Sequence, residues 1–509
     1  MTDHKSSIHY QKVDNDYFNK RELRRHARVW SLWALGVGAV ISGHFSGWNL
    51  GLAAGGFGGF FIAAIIIAIM YLGLSYSLAE MSPALPHTGG AYSFARASMG
   101  PWGGFITGLA ENIEYVLTPA VIVFFIGSYL GTIFGTDPSF QPLWWLAGYI
   151  VFVTLNVIGV ELSFRISVIV TLLALTVLAV FWISAIPHFD FTKWALNIGV
   201  NPEGQAIQLA EGGGSFLPFG VKGIFASLPL AVWLFLAIEQ LPLAAEESHD
   251  PQKDMPKGLL LGIATLIFSA FMTLFLNSSI GVTSADGQSS GAFYLGTSGE
   301  PLLDGFRAIY GTQTSAASIL ALCAVIGLIA SFHTIIFAFG RQIYSLSRAG
   351  YFPRSLSITH GKRKTPHLAL ITGAAVGFLV MIVIWLTVGE EHRNTFIGGI
   401  LLNMAVFGAM ISYIMQGVSF ILLRKKMPHI KRPYVSPFGV TGAVLTIIIA
   451  AVTIFFQFQD PLYRDGVIGV LIWYIAGILY FAAVGRKHLV KSPEEEFALE
   501  QQAKVLVNP

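Results

Sequence analysis

Apolar runs long enough to cross a lipid bilayer dominate this sequence. A bilayer core of about 30 Å requires roughly 20 predominantly apolar residues in a helix. Such runs recur from Trp30 almost to the end of the 509-residue chain. Candidate spans lie near residues 30–53, 57–81, 102–134, 142–160, 163–187, 221–245, 258–282, 314–346, 367–389, 396–423, 437–459 and 466–486. The sequence therefore predicts an all-α integral membrane protein with 12 transmembrane helices.

The composition excludes several classes of protein. Charged residues make up 12% of the chain, about half of the roughly 25% found in soluble domains. The chain therefore lacks the polar surface of a soluble multidomain enzyme, a disordered chain or a nucleic-acid binder. Its one cysteine, Cys323, lies in an apolar run, which excludes a disulfide framework and a cysteine-based metal site. Because no phosphate-binding loop or zinc-protease helix occurs, we expect no enzymatic activity, no metal and no cofactor.

The basic residues predict how the chain is oriented in the membrane. With the N-terminus inside, all but five of the 31 Lys and Arg residues fall on the inner side. The five external ones are Lys193, Lys222, Arg307, Arg393 and Arg464. This bias follows the positive-inside rule. No signal peptide precedes the first span, so we expect a multi-pass protein of the bacterial inner membrane with both termini cytoplasmic.

The first and sixth spans contain residues that interrupt helices. GVGAVISGHFSG (36–47) places glycine and serine in the middle of the first span, and WLFLAIEQLP (233–242) places a proline and two polar residues at similar depth in the sixth. Glycine and proline weaken a helix locally. Paired breaks at corresponding positions of two five-span halves are typical of inverted-repeat transporters. The alternative is glycine and proline used only for helix packing.

Three acidic residues, Glu111, Glu114 and Glu239, lie within the predicted spans, and no Lys or Arg does so clearly. An unpaired charge at this depth costs several kcal/mol, so such acids are candidate functional residues. Without basic partners they suit transport of a cation, a proton or both. Glu111 and Glu114 share one helix face and could share a proton, or they could form an interfacial pair bound to loop residues. Glu239 lies in the sixth-span break, where a neutral structural acid is the alternative.

Other polar and aromatic residues allow two interpretations each. His44 lies in the first break and His333 within the eighth span; each is either functional or a satisfied packing residue. Glu80 ends the second span and is expected to make a surface or gating contact. Aromatic residues that could line a site and make cation–π contacts are Trp48, Tyr115, Trp233 and Phe235. The acids that follow the sixth span, Glu246, Glu247, Asp250 and Asp254, are expected to be solvated or paired with Lys253 and Lys257.

Several strings resemble the amino acid–polyamine–organocation transporters: GVGAVISG (36–43), AEMSPALPHTGGAY (79–92) and AAEESHDPQKDMPKG (244–258). Within that superfamily, GHFSGWNLGLAAGGFGG (43–59), GPWGGF (100–105) and IEY (113–115) are similar to bacterial ethanolamine permeases. The resemblance implies a 5+5 inverted-repeat fold with helices 1 and 6 broken, as in the LeuT-like fold, and two peripheral helices. The chain then divides into an N-terminal tail 1–28, a transport core 29–423 (halves 29–187 and 221–423), peripheral helices 437–487 and a C-terminal tail 488–509.

Three positions depart from the pattern of the superfamily. His44 stands where amino-acid carriers usually have a small residue, beside backbone N–H groups that receive the substrate carboxylate. A substrate without a carboxylate would not need that pocket. Ala237 replaces the usual glycine before the acidic position, which Glu239 matches. Some proton-coupled relatives carry a lysine in the fifth span where this chain has Ala174, so the coupling ion, H+ or Na+, stays open.

The ends of the broken half-helices are expected to bind the substrate. Carbonyl groups and the negative dipole ends near 40–42 and 236–237 favour a protonated amine. Glu239 or Glu111 would supply the countercharge, aromatic rings would cover the site, and a substrate hydroxyl would bond to N–H groups near 46–47 or to His44. The predicted binding residues are Val40, Ser42, Gly43, His44, Phe45, Ser46, Glu111, Tyr115, Trp233, Phe235, Leu236, Ala237 and Glu239, with Glu239, Glu111 and Glu114 in proton coupling.

These features leave three hypotheses open. The first is a secondary transporter that imports ethanolamine or a related small protonated amine by alternating access. The second is a carrier of cationic or neutral amino acids. The third is a membrane receptor or scaffold that does not transport, although a scaffold has little reason to keep three unpaired acids in the bilayer.

Overall fold

The computed structural model describes residues 8–491 and residue 496, except 15, 88, 282–290, 312–314, 389–392 and 460. Its long helices are α1 (Val29–Ile41), α2 (Leu50–Ala84), α3 (Gly90–Phe134), α4 (Gln141–Ile158), α5 (Val160–Ala185), α6 (Gly220–Val232), α7 (Pro251–Ser278), α8 (Ser315–Arg348), α9 (His367–Thr387), α10 (Arg393–Lys426), α11 (Gly439–Gln457) and α12 (Pro461–Ala483). An antiparallel hairpin, β1 (Ile198–Val200) and β2 (Ala206–Gln208), lies between α5 and α6. The predicted span ends at 282, 314 and 389, and nearly all of the tail beyond 491, lie outside the described residues.

The helices confirm the predicted all-α membrane fold. Among the described residues, ten helices are long and apolar enough to cross a membrane. The first and sixth segments are shorter apolar helices, because each ends at a break. Twelve complete crossings therefore remain a prediction. We call the end of the helices that carries the basic clusters the inner end, since the positive-inside rule predicts it to be cytoplasmic.

Two predicted boundaries are wrong for the same reason. The first and second spans were expected to separate near residue 55, but α2 begins at Leu50, inside the first predicted span, and continues through the second, with only Gly56 (φ 68°) outside helical geometry. The third span was expected to begin at 102, but α3 begins at Gly90 and turns at Gly100 (φ 77°). Glycine adopts positive φ without steric cost. A single glycine therefore turns the chain sharply where sequence patterns predict a loop.

Both predicted helix breaks are confirmed. Helix α1 ends at Ile41, and a 3₁₀ turn, Ser42–His44, leads to the start of α2. Helix α6 ends at Val232, and a 3₁₀ segment, Ile238–Glu247, follows the break. Ala237 has φ 85°, a left-handed conformation that is uncommon for a residue with a side chain. Ala237, which stands where the superfamily usually has glycine, thus keeps the backbone conformation that glycine would adopt.

The broken segments lie inside a shell of long helices. Helix α1 packs against α5, α7 and α8, and α3 packs against α8 and α10. The apolar parts of α4, α11 and α12 are only 22%, 28% and 22% buried, against 72% for α3. The protein interior therefore lies around α3 and the two breaks, and the separation of α11 and α12 from a transport core stays a prediction.

Candidate functional site

The two helix breaks face each other directly. The indole N–H of Trp233 donates a hydrogen bond to the carbonyl of Ser46 (2.9 Å). A Cβ atom added to Gly43 would overlap the backbone carbonyl of Trp233. Only a glycine at position 43 allows the two backbones to approach this closely. The predicted residues of both breaks are therefore brought together at one place in the bundle.

His44 holds this arrangement together through both ring nitrogens. Its Nε2 lies 3.0 Å from the carbonyl oxygen of Leu234 in the sixth-helix break. Its Nδ1 lies 3.0 Å from the hydroxyl of Ser269 on α7. The carbonyl can only accept, so Nε2 donates to it and Nδ1 accepts from Ser269. Neither nitrogen is free in this conformation, so a substrate hydroxyl would have to displace one of these bonds, and the contact of His44 with substrate stays a prediction.

The backbone N–H groups of the first break are also occupied. Ser42 N–H donates to the hydroxyl of Ser331 on α8 (2.8 Å). Phe45 and Ser46 N–H donate to the carbonyl of Ser42 (2.9 and 3.0 Å), and Gly47 N–H donates to Asn49 Oδ1 (3.1 Å). In this conformation the N–H groups near 46–47 are occupied, that of Gly47 by the side chain of Asn49, so their bond to a substrate hydroxyl stays a prediction.

The remaining predicted contact residues are buried but differ in what they touch. A Cβ added to Gly327 of α8 would overlap the ring of Phe45, so this ring packs against α8. The ring of Phe235 lies 5.6 Å from that of Tyr71 on α2. Three more predicted residues, Val40, Ser42 and Leu236, are at most 3% exposed. Bulk solvent therefore does not reach the breaks from either end in this conformation.

The three intramembrane acids lie in the interior, close to the breaks. Glu111, Glu114 and Glu239 are each at most 2% exposed, so the interfacial interpretation of the first two is wrong. Glu111 accepts hydrogen bonds from Gln342 Nε2 on α8 (2.9 Å) and from the Tyr115 hydroxyl (3.5 Å). The acids therefore belong to the region around the two breaks.

The carboxyl group of Glu114 faces that of Glu239, whereas Glu111 turns toward α8. The close pair is therefore Glu114 with Glu239, not Glu114 with Glu111 as the helix spacing suggested. The Tyr413 hydroxyl donates to Glu114 Oε1 (3.3 Å). Within the described residues, neither Glu239 oxygen nor Glu114 Oε2 accepts a hydrogen bond of normal geometry. Three buried carboxyl oxygens thus lack a hydrogen-bond donor among the described residues.

Three site residues were missed by the sequence analysis. Tyr71 and Tyr413 join hydroxyls at 2.9 Å beside the carboxyl pair, and Gln342 binds Glu111. Each is a buried polar residue within a predicted apolar span, on a different helix, with Tyr71 and Tyr413 well inside their spans and Gln342 near the inner end of its own. That polarity was a usable signal, but only the fold shows that the three residues meet at the acids.

The inner end is closed by buried ion pairs. Arg341 Nη2 lies 2.8 Å from Glu247 Oε1, and both side chains are at most 1% exposed. Arg348 pairs with Glu246 through two hydrogen bonds (2.7 and 3.0 Å). The expectation that these two glutamates are solvated or paired with nearby lysines is therefore wrong. Arg341 also corrects the prediction that no basic residue lies clearly within the spans.

Two other inner-end acids follow the prediction to different degrees. Asp250 does pair with Lys253 (3.3 Å), as the sequence suggested. Glu80, expected at the surface, is 2% exposed and accepts two hydrogen bonds from Arg424 (2.9 and 2.6 Å). Arg432 adds a third contact to it (3.1 Å). Glu80 therefore ties α2 to the inner end of α10 and to the chain that follows it.

The outer end is closed by the segment between α7 and α8. Asn49 donates to the carbonyls of Leu295 and Ser298 (2.5 and 2.8 Å). Glu300 accepts from two hydroxyl groups on α3, and Asp304 pairs with Arg307 (3.0 Å). Burial raises the pKa of the Glu300 and Asp304 carboxyl groups above their ordinary values. This outer segment therefore seals the first break.

Two further candidate residues, His333 and Ala174, lie away from the breaks. His333 is hydrogen-bonded to Asn156 and Ser163 (3.2 and 3.1 Å), which supports its packing interpretation. Ala174 is completely buried on α5 and brings no charge. Among the described residues, no group of three or more His, Cys, Asp or Glu side chains could hold a metal ion.

Comparisons with known proteins agree with this geometry. Residues 28–484 match the family model described as amino acid permease. An uncharacterized transporter of Rhizobium meliloti is 28% identical over 88% of this chain and 90% of its own length. The methylthioribose transporter and the branched-chain amino acid permease of Bacillus subtilis are each 24% identical over 92% of this chain and 95% of their own lengths. The lysine-specific permease of Lactococcus lactis is 25% identical over 91% of this chain and 87% of its own length. The chain is a multi-pass membrane transporter that belongs to the amino acid permease family of the amino acid–polyamine–organocation superfamily.

Proposed function

We propose that this transporter imports ethanolamine or a closely related small protonated amine across the bacterial inner membrane by alternating access. The observation that carries the proposal is the pair Glu114 and Glu239, buried beside both helix breaks with three carboxyl oxygens unbonded within the described residues. Two buried carboxyl groups in contact cannot both stay ionised without a cation. A small ammonium group supplies that cation and three hydrogen-bond donors.

The surrounding backbone supports a cationic substrate. The C-terminal ends of α1 and α6, at Ile41 and Val232, reach the same region. Helix C-termini carry partial negative charge and free carbonyl groups, which favour cations. An ammonium group between the breaks would therefore be attracted both by these ends and by Glu239.

The hydrogen bonds already made by the backbone N–H groups of the first break favour an amine over an amino acid as the substrate. A carboxylate bound at the first break would need free N–H donors there. Those of Ser42, Phe45, Ser46 and Gly47 already donate within the protein. An amine without a carboxylate leaves these bonds intact, whereas an amino acid would have to break them.

A cationic or neutral amino acid is the second candidate. It is favoured by the names of the branched-chain amino acid and lysine-specific permeases, which this chain resembles along most of its length. A receptor or scaffold that binds without transport is the third. Uptake of labelled ethanolamine into proteoliposomes, competed with choline, arginine and alanine, separates the three. We expect uptake that choline weakens more than alanine does; arginine or alanine as the best competitor would favour the second candidate, and binding without uptake the third.

We further propose that a proton is the coupling ion and that the carboxyl pair carries it. When the amine leaves, a proton can neutralise the pair, so one site would hold either the substrate or the proton. Glu239→Gln should abolish uptake or make it independent of pH. Glu203→Gln is the matched control, because Glu203 is exposed in the outer hairpin. Uptake by Glu239→Gln with the same rate and pH profile as Glu203→Gln would refute this role, and a requirement for Na+ at constant pH would refute proton coupling.

A further inference from the structure

The inner end carries a basic groove that the transport site does not use. Two adjoining cavities, of about 320 and 690 Å³, lie where α5 begins and share His26, Glu161 and Arg165 on their walls. Arg24 and Arg28 reach them from the segment before α1, and Lys362 and Arg363 reach them from the loop before α9. We call this the basic groove. Three separate chain segments thus bring their positive charges to one place.

Most of these charges have no acidic partner. Glu161 is paired with Arg165 in the same helix. Among the described residues, Arg24, Arg28, Lys362 and Arg363 form no ion pair, and all four are exposed. Nearby Lys364, by contrast, is paired with Glu22 (3.3 Å). Like charges brought this close repel one another, so the groove favours an anion that bridges them.

The groove also has an apolar, exposed wall. Leu162 and Ile169 of α5 are 40% and 59% exposed. The first turn of α5 also lines the groove and lacks a side-chain cap, so its free N–H groups add partial positive charge. A ligand that offers a phosphate to the basic residues and a hydrocarbon chain to the apolar wall matches both parts of the groove. A soluble anion would leave the apolar wall unused.

We propose that the basic groove binds the phosphate of an anionic phospholipid from the inner leaflet, with an acyl chain along Leu162 and Ile169. Basic pockets between membrane helices at the cytoplasmic side are suited to such head groups. The phosphate bridges the segment before α1, the start of α5 and the loop before α9. Bound lipid therefore fixes these segments relative to one another.

Arg28→Gln/Lys362→Gln/Arg363→Gln tests the proposal in the full-length protein. These side chains are exposed and unpaired within the described residues, so the substitutions leave folding intact. Lys257→Gln/Lys425→Gln/Lys431→Gln is the matched control, which removes the same charge from exposed positions outside the groove lining. The readouts are the number of lipids retained in native mass spectrometry and the rise in unfolding temperature, each titrated with phosphatidylglycerol or phosphatidylcholine in detergent.

Each basic residue near the surface is worth about fivefold in binding an anionic lipid. The groove variant should therefore bind phosphatidylglycerol about 10- to 100-fold more weakly than wild type, while the control variant binds like wild type and phosphatidylcholine has little effect. Equal phosphatidylglycerol binding by both variants would overturn the site. A stabilisation by glycerol phosphate as large as that by phosphatidylglycerol would overturn the lipid as the occupant.

Discussion

The buried ion pair between Arg341 and Glu247 allows a quantitative test of how the inner end is held closed. Arg341→Met keeps an unbranched apolar side chain but removes the guanidinium group, whose central carbon lies 3.7 Å from the centroid of the Phe337 ring. It leaves the Glu247 carboxylate, 0% exposed, without its partner at 2.8 Å. Breaking a buried pair from one side costs about 3–5 kcal/mol.

The double variant Arg341→Met/Glu247→Leu removes both charges. Replacing a buried pair by apolar residues of similar size is often neutral or stabilising. The free energy of unfolding of this variant should therefore lie within about 1 kcal/mol of the wild-type value. At roughly 2 °C per kcal/mol for a long chain, the single variant should lose about 6–10 °C in unfolding temperature.

The assay heats the purified protein in detergent to a series of temperatures. Size-exclusion chromatography then measures the fraction that remains monodisperse at each temperature. The less deeply buried pair Arg348–Glu246 provides a comparison, since Glu246 is 22% exposed, and Arg348→Met should cost less than Arg341→Met. If the double variant were as unstable as Arg341→Met, the lost stability would come from packing, and the electrostatic explanation would be refuted.

Two further predictions concern the breaks and the outer end. Gly43→Ala places a methyl group on the backbone carbonyl of Trp233, which cannot rotate aside; overpacking should lower the free energy of unfolding by about 1–3 kcal/mol. Gly469→Ala, where nothing lies within 4 Å, should unfold like wild type, and equal unfolding temperatures of both variants would contradict the close approach. Burial raises the pKa of Glu300 and Asp304 above 4.5 and 3.8, so folding stabilises their protonated forms. The stability of the short helix Pro301–Tyr310, which follows Glu300 and contains Asp304, should be full below about pH 4 and fall as the pH rises through the raised values. Hydrogen exchange of that helix, corrected for intrinsic rates, should show less protection at pH 7 than at pH 4, and Glu300→Gln should reduce the difference; protection independent of pH would contradict it.

Local composition was enough to predict the membrane helices and both breaks. The apolar runs predicted the spans because hydropathy alone determines which segments enter a bilayer. The breaks were predictable because glycine and serine in the first span, and proline with two polar residues in the sixth, weaken a helix locally and occur at corresponding positions of the two halves. The joined helices at Gly56 and Gly100 were not, since composition cannot distinguish a glycine corner from a loop.

Partners from distant parts of the chain could not be predicted. Helix spacing paired Glu114 with Glu111, but Glu239 approaches Glu114 from another helix. Arg341 looked like an ordinary inner-end residue until its contact with Glu247 showed it to be buried. His44 stands in the right break, yet its role depends on Leu234 and Ser269, which only the fold brings to it.

Equilibrium binding of labelled ethanolamine to the purified protein tests the central claim most directly. If Glu239 supplies the countercharge for a protonated amine, Glu239→Gln should weaken binding at least about 30-fold, the effect of removing one partner of a buried charge pair. The exposed control Glu203→Gln should bind with wild-type affinity. Ethanolamine binding by Glu239→Gln within twofold of that control, a spread we take as roughly the error of such titrations, would contradict the proposal that the carboxyl pair holds the substrate.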